Sequence, residues 1–301
     1  MRTIRFLVLT LLLALPPLTA RGRNPVFAMS AELAPVEAPA HAAADEAVTA
    51  YESSGLLWLV NRDNTLDADY LPLPLAHRFN CTMREETASA YGKMIDAMRA
   101  DGVYGLYIQS AYRSYWQQRQ LFLNRINLYI ESGYTEAEAA AQAAFSVAPP
   151  GASEHQTGLA IDVSTDGRLS QSFGQTEAGK WINDNCHRFG FIVRYPEHKT
   201  HITRIIYEPW HLRYVGMPHS AFMKERGLCY EEYIDYVKAN GIYIFWDENR
   251  EYYLVTYTDE MPDISKLRGV TDISAAGPYD GAGYIITVKK RAPDLWGQVE
   301  K

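Results

Sequence analysis

Three short blocks of the chain concentrate side chains able to do chemistry. The first, Ser153-Glu154-His155-Gln156-Thr157-Gly158-Leu159-Ala160-Ile161-Asp162, joins a histidine at the end of a Pro/Gly-rich loop to a carboxylate inside an apolar strand. A lone carboxylate between Ile161 and Val163 is costly to bury unless its charge is compensated. A metal ion would compensate it, and so would a helix-capping role or an arginine partner. The second block, Glu208-Pro209-Trp210-His211-Leu212-Arg213-Tyr214-Val215-Gly216, adds another histidine and another acid. In a regular strand Glu208 and His211 face opposite ways, because side chains alternate with period two. Pro209 cannot donate a ladder hydrogen bond and belongs at an edge or a bulge, and a bulge there turns both side chains into one cleft. Two histidines and one carboxylate leave a fourth position open on zinc, the pattern of catalytic sites. The third block, Ser110-Ala111-Tyr112-Arg113-Ser114-Tyr115-Trp116-Gln117-Gln118, sits at a strand-to-helix junction. There Arg113 can donate to a carbonyl or carboxylate oxygen and Gln118 can hydrogen-bond a peptide; a surface ion pair is the competing fate of Arg113. Neither a Ser-x-x-Lys nor a Gly-x-Ser-x-Gly pattern is present to indicate a covalent nucleophile.

The elements that must hold these residues alternate between helices and short strands. Ala88, Tyr91, Ile95 and Met98 recur at helical spacing before a stop at Gly102. A strand over Leu106 to Tyr112 leads into a helix from Ser114 to Glu131, and Thr135 with Glu138 forms a capping box for an Ala-rich helix. Leu159 to Ser164 reads as a buried strand, Thr176 to Phe189 as a helix closed by Gly190, and Phe191 to Tyr195 and Trp210 to Val215 as further strands. The clustering of like elements is α+β. After Gly227 the composition shifts: a short helix over Tyr230 to Lys238 precedes a hairpin of Ile242 to Trp246 with Tyr252 to Tyr257, and a third strand at Tyr284 to Val288. Residues 228–301 are therefore expected to form a small β-rich appendage. It contains no histidine and no acid in a ligand motif, so the chemistry is expected to be complete without it.

The first fifty residues read differently. Arg2 and Arg5 precede an apolar run from Phe6 to Leu15, too short to span a bilayer, and Val26-Phe27-Ala28 offers a cleavage site. Residues 1–28 are expected to be a signal peptide and 29–50, with nine alanines between 30 and 50, a solvated spacer; folded sequence starts near Tyr51. Cleavage after Ala28 removes four arginines and no acid, taking the net charge from -7 to -11. That balance argues against nucleic-acid binding, which needs a basic surface. Export exposes thiols to oxidation, so Cys186 and Cys229 are expected to pair, leaving Cys81 free.

Taken together, SAYRSYWQQ, SEHQTGLAID and EPWHLRYVG, in this order within about residues 56 to 226, resemble the three signatures of the VanY-type zinc D-alanyl-D-alanine carboxypeptidases. The resemblance implies a zinc peptidase fold, a small antiparallel sheet flanked by helices, over residues 51–227. It implies one zinc per chain held by His155, Asp162 and His211, with Glu208 as catalytic base and Arg113 polarising the scissile carbonyl. Ser153, Gln118 and Tyr112 would hold the substrate. The implied activity is removal of the C-terminal D-Ala from peptidoglycan stem peptides by metal-activated water. The implied setting is an exported, monomeric protein, extracellular, periplasmic or wall-associated, with no membrane span after cleavage. L,D-carboxypeptidase or endopeptidase cleavage of the same stems is an alternative. So is a non-catalytic zinc-holding wall-binding module, which would need neither Glu208 nor Arg113. Ala111 and Arg204 stand where glycine is the more usual residue in that pattern.

Overall fold

The computed structural model describes residues 54–247, 251–263, 269–278 and 282–291. The expected signal peptide and spacer lie outside the described residues. A hairpin of β1 (Leu75–Arg78) and β2 (Cys81–Arg84) turns through Phe79 and Asn80, both at positive φ as a two-residue I′ turn requires. Helix α1 (Glu85–Ala100) follows and buries Ala88, Tyr91, Ile95 and Met98 along one stripe. Next come β3 (Tyr107–Ser110), α2 (Tyr115–Glu131) and α3 (Glu136–Ala144); Ser114 and Thr135 each cap their helix reciprocally with Gln117 and Glu138. β4 (Ala160–Ser164), α4 (Glu177–Asn185), β5 (Phe191–Tyr195), the single turn α5 (Thr200–Thr203) and β6 (Glu208–Tyr214) complete the part that carries the three blocks. Beyond it lie α6 (His219–Arg226), α7 (Tyr230–Asn240), and strands β7 (Ile242–Trp246), β8 (Glu251–Thr258), β9 (Val270–Ala275) and β10 (Tyr284–Arg291).

Two four-stranded antiparallel sheets result, ordered β3-β4-β6-β5 and β7-β8-β10-β9. The α+β expectation holds. In the first sheet the period-two alternation divides the strands cleanly. Ile161, Val163, Trp210 and Leu212 join α1 and α4 in an apolar core with Met94, Met98, Trp181 and Ile182. Asp162 and His211, their alternates, belong to the other face.

A second core joins the two sheets through α6 and α7: Leu57, Ile192 and Val215 are buried with Phe222, Tyr233, Val237, Phe245, Val255 and Ile285. The described residues belong to one compact unit by their contacts. The three cysteines are free, so the expected Cys186–Cys229 bridge is absent. Each thiol has its own place: Cys186 Sγ donates to Phe191 O, and Cys229 is the N-cap residue of α7. Among the described residues no helix is long and apolar enough to cross a membrane.

Two packing details give measurable expectations. Gly179, in the first turn of α4, leaves no room for a side chain: a Cβ there would lie 2.0 Å from the Phe173 carbonyl oxygen. Helix propensity favours alanine over glycine by about 1 kcal/mol, but overpacking costs about 1–3 kcal/mol. Gly179→Ala is expected to be a net loss, read as a lower midpoint in urea. In the second core, His219 is fully enclosed, with Nδ1 2.5 Å from Tyr233 Oη and Nε2 3.1 Å from Thr287 Oγ1. Burial pushes its pKa from the ordinary 6.5 down to about 3. The unfolded chain therefore binds a proton that the folded chain refuses between those values. The contribution is intact above pH 6.5 and is lost as pH falls toward 3, at about 1.4 kcal/mol per pH unit. Stability measured from pH 7 to 5 should fall less steeply in His219→Gln than in the parent.

Candidate active site

Sheet register brings the first two blocks together. Asp162 on β4 pairs directly with His211 on β6, and Ser110 at the end of β3 pairs with Asp162 from the other side. β6 bulges where Pro209 predicts it: between Val193↔Leu212 and Tyr195↔Glu208, two residues of β5 advance against four of β6. The bulge puts Glu208 and His211 on one side, Glu208 Oε2 lying 3.8 Å from His211 Nδ1. His155 arrives on a 3₁₀ turn, Glu154–Thr157, closed by Gly158 at φ 69°.

The candidate ligand atoms of His155, Asp162 and His211 lie within 4.8 Å of one another, and all three residues are buried. His155 Nε2 is 3.2 Å from Asp162 Oδ2, and His211 Nδ1 is 3.1 Å from Asp162 Oδ1. His155 Nδ1 donates to the Ala111 carbonyl at 2.6 Å, which leaves Nε2 of the neutral ring as a bare lone pair aimed at a carboxylate. His155 Nε2 and Asp162 Oδ1 are both buried without a hydrogen-bond partner. Facing lone pairs repel unless a cation or a proton lies between them. A two-imidazole, one-carboxylate donor set of this kind suits zinc, and the backbone hydrogen bond on His155 is the outer support such ligands have.

Charge in the pocket is strongly coupled. Burial and the Arg113 guanidinium push His155 down to about 4 against the pull of Asp162. Burial also opposes charge on His211, but Asp162 and Glu154 outweigh it and raise the ring to about 9. Burial would raise Asp162, yet the two imidazoles hold it well below the usual carboxylate range. Glu208 goes the other way: burial, reinforced by the Asp162 charge, lifts it to about 8 against His211 and Arg113. A cation held by the three neighbouring candidate ligands would offset that burial and favour the carboxylate, the form able to accept a proton.

Arg113 stands at the mouth, its backbone N–H donating to His155 O and its Nη1 donating to Ser110 Oγ at 2.9 Å and Asp162 Oδ2 at 3.4 Å. It is partly exposed, so it can reach a carbonyl oxygen in the cleft. Ser153 is buried directly before the His155 turn. Tyr112 is half-buried and its N–H donates to Thr82 O. Gln118 is buried, its Nε2 donating to Ala148 O while Oε1 has no hydrogen-bond partner. Of the unusual positions, Ala111 is buried and its carbonyl still serves His155, whereas Arg204 ends α5 at φ 58°, a conformation glycine adopts freely. Arg204 is held there by an ion pair with Asp63 and by Arg62 donating to its carbonyl.

Sequence reasoning assigned no role to Glu154 or Arg194, and gave Arg213 only the alternative of a structural partner for Glu208. All three are fully buried and joined: Arg194 Nε donates to Glu154 Oε1 at 2.8 Å, and Arg213 Nη1 lies 3.0 Å from the same oxygen. Burial would raise Glu154, but the two guanidiniums hold it far below its ordinary value. The available signal was an arginine within the apolar strand Phe191-Ile192-Val193-Arg194-Tyr195, a charge that must be met inside the protein.

Buried imidazoles and a carboxylate, flanked by a non-ligating acid and a guanidinium on an α+β scaffold, define the centre of a mononuclear metal-dependent hydrolase. A family model described as VanY, D-alanyl-D-alanine carboxypeptidase, matches residues 80–217. A D-alanyl-D-alanine carboxypeptidase of Enterococcus faecalis is 42% identical over 185 residues, covering 61% of this chain and 67% of the relative. A vancomycin-resistance D,D-pentapeptidase VanY solved with Zn(II) is 40% identical with a TM-score of 0.54, covering 60% of this chain and 99% of that one. The L,D-carboxypeptidase LdcB is 37% identical with a TM-score of 0.53, covering 60% and 86%. This chain belongs to the VanY family of D-alanyl-D-alanine carboxypeptidases.

Proposed function

We propose that the protein is an exported, zinc-dependent D,D-carboxypeptidase that removes the terminal D-Ala from peptidoglycan stem peptides. The observation that carries this reading is the juxtaposition of three candidate ligands with Glu208 and Arg113, neither of which a mere binding module needs. His155, Asp162 and His211 hold the metal. Bound zinc supplies a Lewis acid that makes water a nucleophile at neutral pH and polarises a carbonyl. Glu208 takes the proton of the attacking water and passes it to the departing D-alanine amine. Arg113 donates to the carbonyl oxygen as negative charge develops there, an effect of roughly 3–4 kcal/mol for a preorganised donor. Ser153, Tyr112 and Gln118 lie on the same blocks as Arg113 and His155, which supports a role in holding the peptide.

Export rests on Arg2, Arg5 and the short apolar run Phe6 to Leu15. It is tested by N-terminal sequencing of the secreted protein, with the cut expected after Ala28. The activity is tested by mass analysis of synthetic penta- and tetrapeptide stems after incubation. Loss of one alanine from the pentapeptide with the tetrapeptide untouched is the expected result. Trimming of the tetrapeptide alone would make the enzyme an L,D-carboxypeptidase, and no cleavage of either would leave a binding module.

A further inference from the structure

Helix α7 lies beyond the matched region of the family, yet its first turn is wired to the candidate metal site. Glu231 takes Arg194 in a two-pronged ion pair, Nη1 to Oε2 at 2.9 Å and Nη2 to Oε1 at 2.6 Å. The remaining donor of Arg194, Nε, goes to Glu154 Oε1. Tyr230, the neighbouring residue on α7, presents its ring to both guanidiniums, 5.4 Å from Arg194 and 5.3 Å from Arg213. Two acids and two arginines thus cancel inside the protein, and each of the three guanidinium nitrogens of Arg194 has a carboxylate partner.

Glu154 Oε2 is buried with no hydrogen-bond partner, and so is His211 Nε2, 3.7 Å away. The other nitrogen of that ring, Nδ1, faces Asp162 and Glu208. A histidine that ligates through Nδ1 must carry its proton on Nε2, and the group standing opposite Nε2 is Glu154. We propose that Glu154, held by Arg194 and through it by Glu231 of α7, is a positioning residue that fixes the tautomer and orientation of His211 for metal binding. The C-terminal part of the chain is then a working support of the metal site rather than a passive neighbour. The inference rests on the proposed metal site and is tested so that the two can fail separately.

The experiment is competitive zinc titration of the full-length protein against a chromophoric chelator, with circular dichroism on each metal-free sample. Parent protein that takes up no zinc would overturn the metal-site reading itself, and the relay with it. Given a binding parent, Glu154→Asp keeps the charge against Arg194 but withdraws the oxygen from His211. Its zinc affinity should fall by roughly 10- to 100-fold, the usual effect of losing such an outer partner. Glu231→Gln, altering the partly exposed far end, should weaken zinc by a smaller factor while the metal-free spectrum stays that of the parent. A purely structural ion-pair network predicts the opposite split: lower melting temperatures with unchanged zinc affinity. Folded Glu154→Asp and Glu231→Gln proteins that both bind zinc within twofold of the parent would overturn the relay. If Glu154→Asp does not fold, Glu231→Gln decides by the same criterion.

Discussion

Glu208→Gln is expected to lower turnover by roughly 100-fold or more while zinc content and melting temperature stay near those of the parent. The reason lies in how Glu208 is placed. It is buried beside the candidate ligands but 3.8 Å from His211 Nδ1, a neighbour of the site rather than a member of the ligand triangle. Glutamine matches glutamate in size and hydrogen-bonding capacity, so neither metal ligation nor packing changes. What the amide lacks is the ability to take a proton from water and return it to the leaving amine. The competing view makes Glu208 a structural partner of Arg213. The structure gives Arg213 other partners: Glu154 at 3.0 Å, and the carbonyls of Leu56 and Trp58. Zinc content, melting temperature and peptide cleavage measured on one preparation decide the matter. A variant that cleaves near normally would take Glu208 out of the chemistry.

The second large effect is expected at a ligand. Zinc that binds only the folded protein stabilises it by about 4 kcal/mol at a thousandfold excess over its dissociation constant. The parent should therefore melt at a lower temperature after treatment with a chelator and recover when zinc is restored. His211→Ala removes one corner of the triangle and leaves Asp162 with His155 and Arg113. It should be purified with almost no zinc, show background hydrolysis, and melt at the same temperature with and without added zinc. Full zinc occupancy in this variant would move the site elsewhere.

The chemistry-bearing blocks were legible because their residues are close in sequence and conspicuous in their surroundings. An acid within an apolar strand, a histidine at the end of a glycine-rich loop and a proline beside Glu208 each carry a local physical signal. The bulge in β6 could be argued from Pro209 alone, since proline cannot serve a regular ladder. Helix ends were equally local: Thr135 with Glu138 and Ser114 with Gln117 cap through side chains three residues apart. Strand β9 gave no such signal, because Val270-Thr271-Asp272-Ile273-Ser274-Ala275 mixes polar and apolar residues and is paired only by its partner β10.

What the tertiary structure alone decided involves partners far apart in the chain. Glu154 and Arg194 are 40 residues apart, and Arg194 and Glu231 are 37. No periodicity can announce that an arginine in one strand will neutralise acids from a turn and a helix, because ion pairing depends on proximity in space. The cysteines teach the same lesson. The expectation of export led to a bridge between Cys186 and Cys229, but both thiols are free, Cys186 Sγ donating to Phe191 O and Cys229 standing at the N-cap of α7. The residue types determined that two imidazoles and a carboxylate would be available to a metal; only the packing of α7 brought Glu231 to Arg194.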